Sequence, residues 1–486
     1  MFHVKGSRAE AGTAGVADPS GNARAAQKQG TFAALRYRNY RLYWFGQLIS
    51  VTGTFMQGTA QAWLVLLLSK NPLSLGIVGA LQFGPMLVPF GGAIADRFPR
   101  RTILVYTQIS AGILALILFL LTVTHTVQLW HVFALAFALG LVNAVDNPTR
   151  QAFVSEMVPR ESLLNAVSLN SAQFNASRIV GPGLAGELIF LLGVPLLFLL
   201  NAVSYIAVIV GLLMMRKRDL VPMPHSAVTH GMARIRAMGD GARFVWRTPK
   251  LRTTFIMIAV IGIFGFNFNV MLPLEAKTSL HAGSQVYGWL SSALGTGALI
   301  GALLLAKRGG EPTNRLLVWT GATFGLLEAG IALTNSLPLV LLLVAFTGFV
   351  MSMFSASANT RVQMNSPLEL RGRVMSVYVM VFIGTTPIGS LFISSVAGQS
   401  GVSAAFVAAG LPCFLVALVA AWIWKRERNG SSGGTVTPVT PVVTAPQPGL
   451  PLSQPAAAFT VTERPSRPPR LAPCQPTPQP RAATRE

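Results

Sequence analysis

The chain has 486 residues, of which 52% are hydrophobic and only 11% are charged. Soluble domains usually carry about 25% charged residues, so this composition excludes a soluble globular protein and predicts an all-α, polytopic membrane protein. The formal net charge of +22 does not indicate nucleic-acid binding, because the basic residues gather in connections between apolar segments, where anionic lipid head groups attract them.

The first 31 residues are mostly polar or small and lack the apolar core of a cleavable signal peptide. We expect residues 1–31 to form a disordered cytoplasmic leader. Twelve apolar segments follow, each long enough as a helix to cross the hydrocarbon core of a bilayer. They must be helices, because an open strand edge would leave backbone groups unpaired in lipid. The predicted spans are 42–68, 74–95, 102–122, 129–146, 164–191, 194–215, 252–273, 285–306, 315–334, 337–358, 373–398 and 402–424.

Lysine and arginine lie almost entirely in every second connection between these spans. Those connections hold twenty basic residues, whereas the opposite ones hold only Lys70 and Lys277. Basic connections stay on the cytoplasmic side of the membrane, so both termini are expected in the cytoplasm.

The connection after the second span reads GGAIADRFPRR, residues 91–101. One aspartate lies among three arginines there, and two further acids follow near the end of the fourth span. This spacing predicts a cytoplasmic latch of ion pairs between helix ends, with ordinary anchoring by positive charge as the alternative. The residues of the predicted latch are Gly92, Asp96, Arg97, Arg100, Arg101, Asp146, Arg150 and Glu156.

The fifth span contains the polar, glycine-rich stretch SRIVGPGLAGE, residues 177–187. Arg178 lies about 15 residues, or roughly 22 Å, along the helix, near the middle of the membrane, where a charge must face protein or water. Pro182 cannot donate to the carbonyl of Arg178, so we expect the helix to break there. Tight packing of small residues, with Arg178 reaching for the interface, is the alternative. The predicted hinge consists of Gly181, Pro182, Gly183 and Gly186.

Other polar and aromatic residues within the spans predict a central substrate cavity, although any single amide could instead join two helices by a hydrogen bond. The expected lining is Gln57, Gln61, Asn175, Arg178, Phe264 and Asn267. Glu187 and Glu328 are the candidates for proton coupling because they are the acids expected within the membrane; a place at the outer rim is the alternative for Glu187. The sequence offers no metal-ligand cluster, cofactor motif or catalytic arrangement, so we expect no cofactor and no enzyme activity.

Two polar segments lie between and after the spans. Residues 216–251 are expected to form a cytoplasmic linker. The stretch GMARIRAMGDGARFVWRTPKLR (231–252) places Met238, Val245 and Trp246 at helical spacing among five arginines, which predicts an amphipathic helix in this linker. Residues 425–486 are rich in Pro, Thr and Ala, which predicts a disordered cytoplasmic tail.

The two halves of the chain resemble each other. NPTRQAFVSEMVPRESLLNAVS (147–168) is similar to NTRVQMNSPLELRGRVMS (359–376), and Arg150 matches Arg361 at a shift of 211 residues. Each copy has six spans, and an even number gives both copies the same orientation. The repeat therefore predicts two parallel six-helix bundles with a site between them. The expected bundles are residues 32–215 and 252–424.

These features together resemble the major facilitator superfamily. GGAIADRFPRR resembles the superfamily's signature loop, with Gly92, Asp96, Arg97, Arg100 and Arg101 at the matching positions. RIVGPGLAG resembles the signature of its proton-coupled exporters. WFGQLISVTGTFMQ and TTPIGSLFISSVAG resemble bacterial exporters of the enterobactin-exporter-like branch. The similarity covers roughly residues 32–425.

The resemblance implies alternating access by rocking of the two bundles, with Asp96 and its neighbouring arginines stabilising the outward-facing state. It implies a monomer in a bacterial inner membrane, surrounded by lipid, that exports a small organic molecule in exchange for protons. Drug-like compounds, siderophores and other metabolites are the expected substrates, and no nucleic-acid partner is expected. An uptake symporter or uniporter of the same fold, and a non-transporting scaffold or sensor, are the alternatives.

Overall fold

The computed structural model describes residues 32–87, 97–221 and 231–431, all of which belong to one compact unit of the chain. In these ranges the chain is helical and contains no strand. The predicted leader (1–31) and nearly all of the predicted tail lie outside the described residues.

The described helices of the first half follow the predicted spans in order, with short 3-10 turns at their edges. They are α1 (Arg38–Leu68), α2 (Leu73–Phe83), α3 (Arg100–Val123), α4 (Leu129–Met157), α5 (Arg160–Leu192) and α6 (Val194–Leu213). The 3-10 turns are Ala33–Arg36, Gly84–Leu87 and Lys217–Asp219.

The described helices of the second half begin with one that lies before the next predicted span. They are α7 (Gly231–Arg247), α8 (Pro249–Phe264), α9 (Phe268–Leu274), α10 (Ser284–Arg308), α11 (Asn314–Ile331), α12 (Leu337–Met364), α13 (Leu368–Ser400) and α14 (Val402–Ser431). A π-helical turn, Glu275–Ser279, follows α9.

Eight helical segments of the described chain are long and apolar enough to cross a membrane. They are α3, α4, α6, α8 continued through α9 to Ser279, α10, α12, α13 and α14 as far as Glu427. The other predicted spans correspond to α1, α2, α5 and α11. Polar residues interrupt the apolar pattern of α5, which carries both Arg178 and Glu187, and the described part of α2 with its 3-10 turn stops at Leu87.

The seventh predicted span lies within the apolar segment Pro249–Ser279, but this segment is interrupted once and is not a continuous α-helix. α8 ends at Phe264, and α9 starts at Phe268 after a short irregular segment. Asn267 provides hydrogen bonds for two backbone carbonyls at the end of α8. Its Nδ2 donates to the carbonyl of Ile263 at 2.7 Å and to that of Phe264 at 3.2 Å. A side-chain amide thus replaces backbone donors that a helix end lacks.

The amphipathic helix expected in the linker is α7. Its Val245 is buried, whereas Trp246, which was expected on the same apolar face, is 64% exposed. α7 packs against the start of α13, where Arg373 donates to Asp240 at 3.1 Å and the backbone of Arg373 lies close to Gly241.

Helices α5 and α13 show the internal repeat in three dimensions. Each has 33 residues, and each ends at a glycine with positive φ, Gly193 at 81° and Gly401 at 87°. Glycine adopts this conformation without the steric cost that a side chain adds. The two glycines are 208 residues apart (401 − 193), which is close to the shift of 211 residues between Arg150 and Arg361.

The two halves meet mainly at one end of the helices. We call the end that carries Arg100 and Arg308 the basic end, and the opposite end, with Gly193 and Gly401, the far end. Near the far end of α5, Ser284 Oγ of α10 donates to the Gly186 carbonyl at 3.1 Å. A Cβ on Gly186 would lie 3.0 Å from Gly288 Cα, so the α5 and α10 backbones approach each other closely.

An equivalent contact joins α2 to α13. Ser390 Oγ of α13 donates to the Gly76 carbonyl of α2 at 3.1 Å, and Ser390 and Ser394 leave no room for a side chain at Gly76. The repeat relates the two contacts, because Ser394 lies 208 residues after Gly186. Small residues therefore let the halves pack closely on both sides of the far end.

Candidate functional site

A cavity of about 450 Å³ lies within the first half of the chain, among α1 to α6. Along α1 it extends from Tyr43 to Phe55, which is 12 residues or about 18 Å of helix. Tyr43 is only five residues from the start of α1 at the basic end. The cavity therefore lies on the basic-end side of the far-end contacts that Ser284 and Ser390 make.

Neutral polar and aromatic side chains form much of the described cavity wall. The aromatic residues are Tyr43, Phe55, Phe83, Phe174 and Tyr205. The side-chain amides are Gln47, Gln108, Asn143, Asn147, Gln151, Asn170 and Gln173. Such a wall can hold an apolar ring and, beside it, several hydrogen-bonding groups.

The charged residues of the described wall are Asp146 and Arg150, one helical turn apart on α4. Asp146 Oδ2 accepts from Arg150 Nε at 3.0 Å and also from Arg150 Nη2. Asp146 Oδ1 accepts from Thr107 Oγ1 at 2.7 Å and from Gln108 Nε2 at 2.9 Å. A carboxylate has about four acceptor sites, so Asp146 is fully occupied.

Arg150 also holds α1 in place, because its Nη1 donates to Gln47 Oε1. The cluster thus joins α1, α3 and α4 around one ion pair. A buried ion pair is tolerated when further hydrogen bonds satisfy its atoms, and the bonds from Thr107 and Gln108 do so for Asp146, which is 2% exposed.

The predicted latch is divided between two places. Arg100 and Glu156 form an ion pair of 2.6 Å, as the sequence led us to expect. Asp146 and Arg150, in contrast, pair with each other in the cavity wall, so the prediction that Asp146 is a partner for the loop arginines is wrong. Asp146 lies about three turns before the end of α4, whereas Arg100 pairs with Glu156 in the last turn of that helix.

The remaining latch residues make other contacts or are not described. Arg101 donates to carbonyls at the end of α6, those of Leu212 at 2.7 Å and Leu213 at 3.0 Å. It therefore caps a helix end rather than pairing with an acid. The Arg97 guanidinium lies 6.0 Å from the Phe98 ring centre. Gly92 and Asp96 lie outside the described residues.

The residues predicted to line a central cavity do not line this one. Gln57 accepts from Asn201 Nδ2 at 2.7 Å, and Asn175 donates to the Ser171 carbonyl of its own helix at 2.8 Å. Gln61 is buried. Gln57 therefore joins α1 to α6 by a hydrogen bond, which is the alternative role considered for any single amide.

The second-half members of that set, Phe264 and Asn267, are partly buried and buried respectively. The Phe264 ring stacks edge-on against Phe392 at 5.3 Å. Asn267 is 2% exposed, and its Oδ1 has no partner among the described residues. Both residues lie at the break between α8 and α9 and not in the first-half cavity.

Helix α5 continues without interruption through the predicted hinge, so the predicted break at Pro182 is wrong. The side chain of Arg178 is half-buried, and its carbonyl, which Pro182 cannot bond, faces Gly295 of α10. Gly183 and Gly186 also face α10, whereas Gly181 faces Phe55 of α1. These glycines serve as contact points between helices.

The two membrane acids have contrasting surroundings. Glu187 lies on α5 near the far end and accepts from Gln285 Nε2 at 2.8 Å and Trp289 Nε1 at 3.0 Å, both on α10. Glu328 on α11 is fully buried, and neither of its oxygens has a partner among the described residues.

Sequence reasoning missed the amides around the ion pair, chiefly Gln47 and Gln108. Two signals were available: Thr107 and Gln108 interrupt an otherwise apolar third span, and Asp146 and Arg150 have the spacing of an intrahelical pair. Thr107 and Gln108 reach Asp146 because α3 packs against α4, and this packing cannot be read from the spacing of residues in the sequence.

The sequence of this chain is similar to those of curated transporters. It is 29% identical to the multidrug efflux pump Tap of Mycolicibacterium fortuitum, over 78% of this chain and 94% of the relative. It is 27% identical to the staphyloferrin A transporter of Staphylococcus aureus, over 75% and 91%. It is 22% identical to the enterobactin exporter of Shigella flexneri, over 78% and 90%.

The fold is similar to those of solved transporters. A bacterial homologue of the human lysosomal transporter Spinster aligns with a TM-score of 0.61 at 13% identity, over 83% of this chain and 99% of that one. The model of the family described as transmembrane secretion effector matches residues 29–433. The chain therefore belongs to the transmembrane secretion effector family of the major facilitator superfamily, a family of transporters.

Proposed function

We propose that this protein is a secondary active exporter that moves small organic molecules of the drug or siderophore class out of the cytoplasm. The proposal extends to this chain what the names of its relatives say of them: efflux of drugs and export of a siderophore. We place it in a bacterial inner membrane with both termini in the cytoplasm, because the basic end carries nearly all of the arginines and lysines of the connections.

The proposed topology has twelve spans in two six-helix bundles, 32–215 and 252–424, joined by the linker 216–251. The eight apolar helices support it, together with α1, α2, α5 and α11 at the remaining predicted positions. The matching lengths and glycine ends of α5 and α13 support two related bundles.

Alternating access is the proposed mechanism, and one observation carries it. The halves touch through the glycine and serine contacts of the far end, while the cavity lies on the basic-end side of these contacts. If the basic end is cytoplasmic, this arrangement is an inward-facing state closed to the outside. Export then requires the far-end contacts to separate.

The ion pair Arg100–Glu156 is the described part of the proposed cytoplasmic latch. It joins the start of α3 to the end of α4 at the basic end. We propose that Asp96 and Arg97 complete the latch in the outward-facing state, when the basic ends of the bundles close.

Proton antiport is the proposed energy source, with Glu328 as the first candidate and Glu187 as the second. An ionised carboxylate without a partner is expensive in an apolar interior, so Glu328 can gain and lose a proton only with a change in its surroundings. That coupling of protonation to conformation is what an antiporter needs.

Transport by everted vesicles tests the proposed function. Vesicles from cells that overproduce the protein are offered a mixture of drugs and siderophores, and the captured compounds are identified by mass spectrometry. An exporter accumulates at least one compound when the lumen is acidified, and Asp146→Ala abolishes the accumulation. A symporter for uptake would need the opposite gradient, and a scaffold or sensor would give no flux with either gradient.

A further inference from the structure

We propose that the first-half cavity is the substrate site and that it selects charge-balanced molecules, neutral or zwitterionic, with a hydrogen-bond donor beside an aromatic or otherwise apolar body. This inference rests on the proposed export function and names the substrate class. It differs from a site built on Arg178, whose positive charge would favour an anion.

The charge balance of the described wall is the first argument. Asp146 and Arg150 are its charged residues, and they neutralise each other at hydrogen-bond distance. A cationic substrate would have to displace donors from Asp146, whose four acceptor positions are filled. Arg150 gives three of its five N–H groups to Asp146 and Gln47, so an anionic substrate would share its positive charge with the Asp146 carboxylate. A substrate with net charge of either sign therefore leaves one buried charge poorly paired.

Gln108 supplies the second argument. Its side chain is buried, and its Oε1 has no partner among the described residues. The orientation of the amide follows from chemistry, because only the NH₂ group can donate to the Asp146 carboxylate at 2.9 Å. The oxygen is thus left as an unpaired acceptor in a residue that lines the cavity. The oxygen itself is buried in this structure, so a substrate N–H or O–H group pairs with it when the packing around it opens toward the cavity.

The rest of the wall suits the same class of molecule. Seven neutral amides line it, and each amide can both donate and accept. Phe55 and Phe174 form an edge-to-face pair with ring centres 5.3 Å apart, which offers an apolar surface. A volume of about 450 Å³ lies within the range for one drug-sized molecule.

Norfloxacin and three of its derivatives vary the charge on one fluorescent aromatic core. Norfloxacin is a zwitterion near neutral pH, its carboxamide is a cation, N-acetylnorfloxacin is an anion, and N-acetylnorfloxacin carboxamide is neutral but keeps amide N–H donors. Binding to the full-length protein in lipid nanodiscs is followed by fluorescence anisotropy. We expect the zwitterion and the neutral form to bind at least about tenfold more tightly than either singly charged form.

Single variants of Asp146 and Arg150 should change the charge preference in opposite directions. Asp146→Asn leaves Arg150 unbalanced, so preference should move about tenfold toward the anion. Arg150→Gln leaves Asp146 unbalanced, so preference should move toward the cation. The double variant restores balance and the wild-type order, and it keeps the test valid if one single variant fails to fold.

Gln108→Leu removes the proposed acceptor and should weaken the zwitterion and the neutral form about tenfold. Gln363→Leu, at an exposed position of α12, is the matched control and should leave binding unchanged. The proposal is overturned if a singly charged form binds the wild-type protein most tightly, or if none of the four forms binds. It is also overturned if the order of affinities is the same in the Asp146 and Arg150 variants as in the wild type. The vesicle experiment remains separate, since accumulation of any compound supports export whatever its charge.

Discussion

Arg150 and Arg361 occupy equivalent positions of the repeat, 211 residues apart, but their guanidinium groups have different partners. Arg150 pairs with Asp146 in the cavity wall. Arg361 is buried beneath the Trp424 ring, with its guanidinium carbon 4.8 Å from the ring centre. The position equivalent to Asp146 is Ser357 (357 − 146 = 211), whose buried hydroxyl has no described partner. One ancestral position thus serves a polar cavity in one half and an aromatic contact in the other.

The Arg361–Trp424 contact should stabilise the second half. Trp424→Leu removes a cation–π contact and buried ring volume, so we expect the free energy of unfolding to fall by about 2 kcal/mol or more. Trp424→Phe keeps a ring and should cost about half as much. Thermal unfolding in detergent measures both. Trp422→Leu is the control on the same helix, because Trp422 is 60% exposed; an equal loss there would contradict the assignment.

The Asp146–Arg150 pair should show strong coupling in a double-mutant cycle. Breaking a buried pair costs about 3–5 kcal/mol, and we expect about 1–3 kcal/mol for Asp146→Asn because the Arg150 side chain is 26% exposed. Adding Arg150→Gln should recover part of the lost stability. Additive losses in the unfolding measurements would show that the two residues act independently.

The sequence predicted the helices better than their interruptions. Hydropathy located the eight apolar helices of the described chain, because lipid requires apolar helices of fixed length. It did not locate the break at Asn267, because an amide that bonds two carbonyls of its own chain looks the same in sequence as an amide between helices. At Pro182 the sequence predicted a break that the structure does not contain. Helix α5 is continuous there, and it contacts α10 on one side and α1 on the other.

The candidate site was predictable only in part for a similar reason. Asp146 and Arg150 were recognised as an acid and a base near the end of the fourth span, but they were assigned to the latch. Their place in the cavity depends on how deeply α4 extends beyond its apolar segment, to Met157. Because α4 continues for about three turns beyond the predicted end of the span at residue 146, both residues lie within the helix and line the cavity.

The glycine contact between α5 and α10 should control closure of the far end. A Cβ on Gly186 would lie 2.7 Å from the Ser284 carbonyl oxygen and 3.0 Å from Gly288 Cα, and backbone atoms cannot move aside easily. Overpacking of this kind costs about 1–3 kcal/mol, so Gly186→Ala should raise the population with an open far end about tenfold.

Labelling of a cysteine at Ser394, which is buried in the far-end contact of α13, can measure this opening. Ser394→Cys is introduced together with Cys413→Ala and Cys474→Ala, and a membrane-impermeant maleimide is added to spheroplasts. Gly58→Ala is the control, because no atom lies within 4 Å of a Cβ there. Equal labelling rates for the two alanine variants would rule out Gly186 as a closure point.

Glu328 should couple transport to the proton gradient without being needed for the fold. Gln has nearly the same shape and is always neutral, so Glu328→Gln should fold normally, because the carboxyl has no described hydrogen bond to lose. Without a group that releases its proton, the variant should still exchange substrate down its own gradient, while pH-driven accumulation should fall at least about tenfold. Both modes can be measured in the same proteoliposomes.

Glu369→Gln, at the exposed start of α13, is the control. If Glu328→Gln still accumulates substrate against its gradient, while Glu187→Gln does not, the proton site lies in the α5–α10 contact and Glu328 is a buried neutral acid of the second half.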